Sequence, residues 1–435
     1  MSRPNVLFIL SDQHRYATLP GVDGCEVIAP NLDRLAREGA FFRQNWSCHP
    51  ICSPARAMMI SGRWPTDTGV TFNDYELYTE PTSLGSVFED AGYHTAYVGK
   101  WHLHEGPKEN VDNNDHYIPP GPGRHGFSWM RLWNSTNKHW DAYWYSDPEG
   151  DKVPYDGYNP VGMTDQVLEF LDGEWNRDQP FFLTLSVNPP HDPMHDSPPR
   201  FRELYDADEI KLRPNVSDAY ANGETIPPVH GGTKLSLHIR EQLAHYYGHV
   251  SAIDNEIGRV LDKLDEMDIS DDTCVIYTSD HGDMMGSHDL IRKPYMYSEA
   301  TQVPLYVRHP GHITPGTVTD GLVSTIDIYP TLLGLADIPV PERARGMNLS
   351  HLATGSNGDD RDHVLHFYTW PEDRTMSRLG LWGIRTQEWL LYETDERHLH
   401  DLIADPFEME NLAGRPQYAE IEADLQRRLD EAKFA

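Results

Sequence analysis

Short apolar runs that are continuous rather than alternating, separated by longer stretches of helical periodicity, constrain this chain more than any other feature. Residues 6–10 form one such run, Val-Leu-Phe-Ile-Leu, closing on Ser11-Asp12. A strand that is apolar on both sides is covered on both faces, which suits a buried parallel strand with polar groups at its carboxyl end. Residues 94–98, 181–187 and 274–278 read the same way. Between them, residues 30–39 begin on a proline and stop on a glycine, the punctuation of a short helix. Across 239–264, Leu243, Tyr246, Tyr247, Val250, Ile253, Ile257, Val260, Leu261 and Leu264 recur at helical spacing. Strands alternating with helices predict an α/β fold, a mostly parallel sheet between helices.

Two stretches depart from this rhythm. Roughly residues 104–160 are rich in Gly, Pro, Asn, Trp and Tyr, and read as an insertion or lid without clear elements, with an aromatic cluster under a long loop as the alternative. Residues 191–236 form a second connection rich in Pro, His and Asp. After Pro339-Val-Pro341 the segments shorten before a terminal amphipathic helix near 418–433. The chain is therefore divided into a large domain, 1–338, and a small C-terminal α+β subdomain, 339–435.

Composition narrows the function classes. At 435 residues with 38% apolar content there is enough material for a sizeable core, and a formal charge of −32 repels phosphate backbones and anionic lipid. Nucleic acid and membrane partners are not expected. No apolar run approaches the ~20 residues that cross a bilayer, and the opening Met-Ser-Arg-Pro leads at once into a strand instead of a signal peptide. With four scattered cysteines, a reducing, cytoplasmic setting is expected. Nine lysines and 27 arginines against 68 acids match the acidic surfaces of salt-accumulating microbes.

The densest local signal is Cys52-Ser53-Pro54-Ala55-Arg56. Pro54 belongs in the first turn of a helix that Gly62 can close, which puts Cys52 at the N-terminus, where free N–H groups favour negative charge. Arg56, four residues on, shares its face. These five residues alone fit an ordinary helix start over a buried thiol equally well.

The wider pattern carries more. Cys-Ser-Pro-Ala-Arg, preceded by Asn5-Val-Leu-Phe-Ile-Leu-Ser-Asp12, is followed in order by Gly99-Lys-Trp-His-Leu103, Pro190-His-Asp-Pro193, Thr278-Ser-Asp-His-Gly282, Lys293-Pro-Tyr-Met-Tyr-Ser-Glu299 and Asp327-Ile-Tyr-Pro-Thr-Leu332. The chain resembles the type I sulfatases of the alkaline-phosphatase superfamily over nearly its whole length. That resemblance implies an alkaline-phosphatase-like sheet and hydrolysis of a sulfate ester to alcohol and sulfate. It also implies a formylglycine nucleophile, formed from Cys52 by a maturation enzyme. Asp12, Asp280, His281 and the modified residue 52 would hold one divalent cation. Oxygen dominance favours Ca²⁺, with Mn²⁺ or Mg²⁺ admitted by the imidazole. By the same resemblance Arg56 assists the nucleophile, Lys100 holds sulfate and formylglycine oxygens, and His102 is the base that breaks the covalent intermediate. His191 and Lys293 meet the leaving-group oxygen, and Asn73 contacts substrate.

Gln13 stands where many arylsulfatases have a second Asp, and His281 where some have Asn. Both look more like the choline sulfatase and phosphonate monoester hydrolase branch, and Gln13 is included as a neutral oxygen ligand. Lys100 and His102 are expected two apart on extended backbone, sharing a face. His195, His245, His249 and His288 match no motif and are read as ordinary histidines. In the insertion, Lys108, Arg124, Arg131 and Lys138 are offered to extra anionic groups of a sulfated carbohydrate, and its aromatic rings to a sugar or a quaternary ammonium. Two rivals stay open: a formylglycine-dependent phosphonate monoester or phosphodiester hydrolase, and an unmodified, non-catalytic metal- or anion-binding protein.

Overall fold

The computed structural model describes residues 3–104, 115–224, 238–368 and 381–433. Strand Asn5–Asp12 lies at the middle of a mixed ten-stranded sheet, in parallel with Phe181–Pro190 on one side and Thr273–Ser279 on the other. Strand His94–Lys100 follows Phe181–Pro190, and Trp129–Trp133 follows that, both in parallel. The register is in step, with Val6 opposite both Phe182 and Cys274. Parallel strands that end in step present the residues after them along one edge, so Asp12, Lys100, His191 and Asp280 are brought to the same side. Leu305–Arg308 runs antiparallel against Thr273–Ser279, and Ala40–Phe42 and Thr317–Thr319 complete that edge.

The apolar runs have the explanation their pattern implied. Val6, Phe8 and Leu10 pack with Phe182 and Ile276 on one face of the sheet, while Leu7 and Ile9 pack with Leu183, Leu185 and Val275 on the other. Each such side chain contributes about 2 kcal/mol of burial. Helix Pro30–Glu38 has no capping side chain of its own, because Ala29 precedes it. Its first N–H groups go instead to the carboxylate of Asp254, which accepts from Asn31 N at 2.9 Å and Leu32 N at 2.7 Å. Burial pushes the Asp254 carboxyl up to about 6. Gly39 ends the helix where a Cβ would meet the Val307 carbonyl oxygen at 2.3 Å, so only glycine fits between helix and strand. The long helix is Ile239–Glu266, whose apolar face includes Ile253, Ile257, Val260 and Leu261.

The aromatic segment contains elements that its composition did not reveal. Trp129–Trp133, Tyr143–Tyr145 and Lys152–Pro154 are strands that extend the main sheet. Aromatic residues favour a pleated, half-buried surface, and the intervening Gly and Pro make the turns. Lys108 lies outside the described residues. Arg124 is buried and clamped on the Asp147 carboxylate and the Ile118 carbonyl, and Arg131 is sandwiched between Trp129 and Trp144. Neither is available to an anion as their sequence context suggested; Lys138 is exposed.

The C-terminal part is a four-stranded antiparallel sheet of Val364–Tyr368, Leu381–Arg385, Trp389–Glu393 and Arg397–Asp401. Helix Ala419–Lys433 closes one face, with Leu425 and Leu429 against Leu365, Ile384, Leu391 and Leu399. Leu349 and Ala353 still belong to the large core, so a separate cluster first appears with strand Val364–Tyr368. Among the described residues, no helix is long and apolar enough to cross a membrane.

Candidate active site

Helix Cys52–Ser61 is buried along its entire length and ends at Gly62, whose left-handed φ of 66° returns its N–H to Met58. Its N-terminus lacks a cap from Ile51, and the acceptor comes from elsewhere: Asn73 Oδ1 takes the Ser53 N–H at 3.1 Å. Ser53 Oγ donates to the His102 carbonyl at 2.8 Å, tying the helix to the end of strand His94–Lys100.

Cys52 points into a group of charges drawn from separate segments. Its Sγ is 3.2 Å from His281 Nε2, 3.6 Å from Asp12 Oδ1 and 3.2 Å from Lys293 Nζ. One turn along the same face, Arg56 donates Nη2 to Asp12 (3.2 Å), Nε to Asp280 (3.1 Å) and Nη1 to Ser186 Oγ (2.7 Å). Lys100 Nζ donates to Asp12 at 2.7 Å and to Asn137 at 3.2 Å. Lys293 Nζ uses its three protons on Cys52, Gln13 Oε1 (2.9 Å) and His191 Nε2 (2.8 Å). All eleven residues singled out from the sequence are placed around this group.

The hydrogen bonds also fix tautomers. The Gly282 carbonyl can only accept, so His281 donates from Nδ1 at 2.9 Å and turns Nε2 toward Cys52, Asp12 and Asp280; burial opposes its protonation, and Asp280 then Cys52 raise its pKa. His191 likewise donates from Nδ1 to the Asp192 carbonyl at 2.8 Å, leaving Nε2 to accept from Lys293. His102 Nε2 lies 3.1 Å from Asp74 Oδ1, and its Nδ1 is buried with no hydrogen-bond partner among the described residues. His102 is not on extended backbone: it occupies a left-handed turn with φ 59°, its N–H held by the Asn134 carbonyl. The turn past the strand end brings it toward Cys52.

Electrostatics separates the groups. Burial opposes ionisation of Asp12, as does the Cys52 sulfur, but Lys100, His191 and Lys293 hold its carboxyl well below the usual range. Asp280 goes the other way, raised by burial and then by Asp12. Burial raises the Cys52 thiol, yet Lys293, Lys100 and His281 outweigh it and bring its pKa well below an ordinary thiol. Burial works against protonation of Lys293, and Cys52, Asp12 and Asp192 override it. Position 52 is built to carry negative charge beside fixed cations.

The donor set fits a divalent cation. Ligand atoms of Asp12, Cys52, Asp280 and His281, all buried, lie within 4.8 Å of one another. Two carboxylates and an imidazole Nε2 converge, crowding charge that raises the pKa of Asp280 and of His281, and a metal ion displacing those protons satisfies the arrangement. Gln13 faces the same group, but its Oε1 is taken by Lys293 and its amide by Asp283 at 2.6 Å.

Several working residues left no readable mark in the sequence. Ser186 bridges Arg56 and the Lys100 carbonyl from inside an apolar strand. Asp74 orients His102, Asn137 meets Lys100, and Asp283 holds Gln13; adjacency to Asn73 and to His281 was the one available hint for the two aspartates. His139 is fully buried, and its basicity is depressed by burial and then by His249, His191 and Lys100, which places it against the same site.

Comparison with known proteins agrees with this geometry. The family model described as Sulfatase matches residues 4–338, and one described as N-sulphoglucosamine sulphohydrolase, C-terminal, matches 286–435. An ulvan-active sulfatase of Formosa agariphila is 30% identical over 99% of this chain and 81% of its own length. The choline-sulfatase of Rhizobium meliloti is 29% identical over 95% of this chain and 83% of its own. A solved sulfatase structure from Bacteroides fragilis superposes with a TM-score of 0.85 at 28% identity, covering 98% of this chain and 94% of that one. The chain belongs to the sulfatase family, and the protein is a sulfuric ester hydrolase.

Proposed function

We propose that the protein hydrolyses a sulfate ester through a formylglycine made from Cys52, with one divalent cation, Ca²⁺ first, held by Asp12, Gln13, Asp280, His281 and the side chain at 52. The observation that carries this reading is the position of Cys52: a helix N-terminus where three cations outweigh burial and favour an anion. In the present chain the thiol occupies the place that an oxygen of the hydrated aldehyde would take. The cation would supply charge to lower an oxygen's pKa there.

The chain's own residues account for the remainder. Arg56 and Lys100, anchored on Asp12, stabilise the ionised hydroxyl of residue 52, its proton released to solvent, as it attacks sulfur, and they hold the sulfate oxygens. The S–O bond to the alcohol breaks as the new one forms, and the His191–Lys293 pair gives the departing oxygen its proton. His102, with Nε2 turned to Asp74, accepts through Nδ1 the proton of the second hydroxyl. The C–O bond to sulfate then breaks, releasing sulfate and restoring the aldehyde, which water hydrates again. Asn73, fixed on the Ser53 N–H, lies beside the nucleophile where substrate passes.

A sulfated carbohydrate is the substrate class favoured, supported by the ulvan-active relative. Mass spectrometry of tryptic peptide 44–56 from protein made in its own host tests the nucleophile: an aldehyde in place of the thiol is expected, and an unmodified Cys52 in active protein overturns it. A panel of sulfated saccharides, choline sulfate and phosphate diesters, each assayed with and without chelator, tests the substrate class and the cation.

A further inference from the structure

A second group of metal-ligating side chains lies apart from Cys52, where the Lys293 loop meets the C-terminal subdomain. One ring nitrogen of His288 and one carboxylate oxygen each of Glu299 and Glu408 fall within 4.8 Å of one another. The three come from distant parts of the sequence: the loop after His281, the short helix Ser298–Thr301, and the segment after strand Arg397–Asp401. His288 belonged to the histidines that the sequence left without a role.

The neighbouring contacts explain the carboxylates only in part. Glu299 Oε1 accepts from Arg213 Nε at 3.0 Å and Asn215 Nδ2 at 2.8 Å. Glu408 accepts from Arg385 Nη2 and Ser298 Oγ, both at 2.6 Å, and from Ser298 N at 2.9 Å. What remains is a set of buried polar atoms without partners. His288 Nε2 is buried and has no hydrogen-bond partner among the described residues; neither has Asn215 Oδ1 nor either nitrogen of His400. Asn215 and His400 are 6% and 2% exposed. Asn215 is locked in place, since its backbone carbonyl accepts the backbone N–H of His288 at 2.6 Å and its side-chain amide is on Glu299. The His288 ring is held by stacking on Tyr297 at 3.9 Å. Unpartnered polar atoms buried this way cost free energy unless something satisfies them.

We propose that His288, Glu299 and Glu408 bind a divalent transition ion of the Zn²⁺ class, with Asn215 Oδ1 completing the shell. Arg213 and Arg385 already balance the two carboxylates, so the ion enters a pocket with little net charge. That selects against Ca²⁺ and Mg²⁺, which depend on oxygen charge, and for an ion that bonds strongly to imidazole. The ion ties the loop that carries Lys293, five residues after His288, to the C-terminal subdomain that carries Glu408. It is a structural clamp behind the active site, and it does not depend on the cation proposed at Asp12 and Asp280.

The test counts metal on the full chain. Protein stripped with chelator, equilibrated with Zn²⁺ and freed of excess is expected to hold two equivalents. H288A is expected to hold one, D280N one, and the double variant none. Co²⁺ in place of Zn²⁺ gives an optical signature for the same site, expected in D280N and lost in D280N/H288A and D280N/E408Q. Zn²⁺ is also expected to raise the Tm of D280N and to leave that of D280N/H288A unchanged. One equivalent in wild type that H288A loses and D280N keeps supports this site while removing the catalytic cation. Metal content unchanged by both H288A and E408Q overturns the clamp and leaves an ion-pair network bridged by water.

Discussion

Around Cys52, charges from six separate segments are buried together, and their partners are one another: Arg56 reaches Asp12 and Asp280, Lys100 reaches Asp12, Lys293 reaches Cys52 and His191. At the aromatic edge of the same sheet the cations are engaged by their own neighbourhood. Arg124 is clamped on Asp147, and Arg131 lies 5.0 Å from the Trp129 ring and 4.4 Å from that of Trp144. The first arrangement leaves two carboxylates pressed together and a thiol held toward its anion, a state that favours an incoming cation and an anionic substrate. The second engages its two arginines with neighbouring groups of the same segment and acts as a wall. A charged residue near a site is a recognition group only when its own fold has not already neutralised it.

The largest effect expected follows from the centre. Cys52→Ala is expected to lower kcat by about four orders of magnitude or more, because it removes the atom that forms the covalent intermediate. Circular dichroism and Tm should remain near wild type, since the side chain removed is small. Residual turnover within about tenfold of wild type would mean that residue 52 is not the nucleophile, and the contrast with the edge would lose its basis.

Second is Lys293→Ala, expected to cost about 10²–10³ in kcat, the size seen when one preorganised donor to developing charge is lost. Its ammonium meets three groups of the site at once. The loss should be smallest for substrates with a good leaving group, which need least protonation, and an equal loss across a leaving-group series would separate Lys293 from that step.

How much of this contrast was legible in the sequence differs between the two regions for a physical reason. The centre is built from residues at strand ends and at one helix start, and continuous apolar runs mark the ends at Asp12 and Asp280; Lys100 and the role of Cys52 could be read only from the family resemblance. Ser186 could not be read, because a serine in a buried strand shows no sign of facing Arg56. Asp74 and Asn137 lie in irregular backbone whose approach to His102 and Lys100 exists only in three dimensions. In the aromatic edge the strands went unread, and Arg124 and Arg131 were read as groups that could meet an anion. Its strands are short and interrupted by Gly and Pro, and the acceptors of Arg124 and Arg131 lie in the same segment, where sequence cannot tell a partner from a bystander.

Third is Asp74→Asn. Asp74 touches no reacting atom; it positions His102 by accepting a hydrogen bond from its Nε2–H. Loss of the carboxylate is expected to lower kcat about 10- to 100-fold, with KM nearly unchanged and the covalent sulfated enzyme accumulating, since only the second half of the reaction slows. An effect on KM alone would place Asp74 in substrate binding instead.

The smallest effect is expected at the edge, and it tests the comparison from the other side. Arg131 packs between two indole rings and lies 3.6 Å from Glu169, so replacing it with alanine removes two cation–π contacts at a partly exposed site. Each is worth roughly 0.5–1 kcal/mol there, and the weak ion pair adds little. Arg131→Ala should therefore lower stability by about 1–2 kcal/mol in urea melts, while kcat/KM on any sulfate ester stays within about twofold of wild type. Lysine at this position should recover little, because its compact ammonium does not stack as a guanidinium does. A fall in kcat/KM confined to substrates bearing a second sulfate, with stability unchanged, would show that the ring sandwich opens to bind anions. The edge would then be a recognition surface like the centre, and local neutralisation would no longer distinguish them.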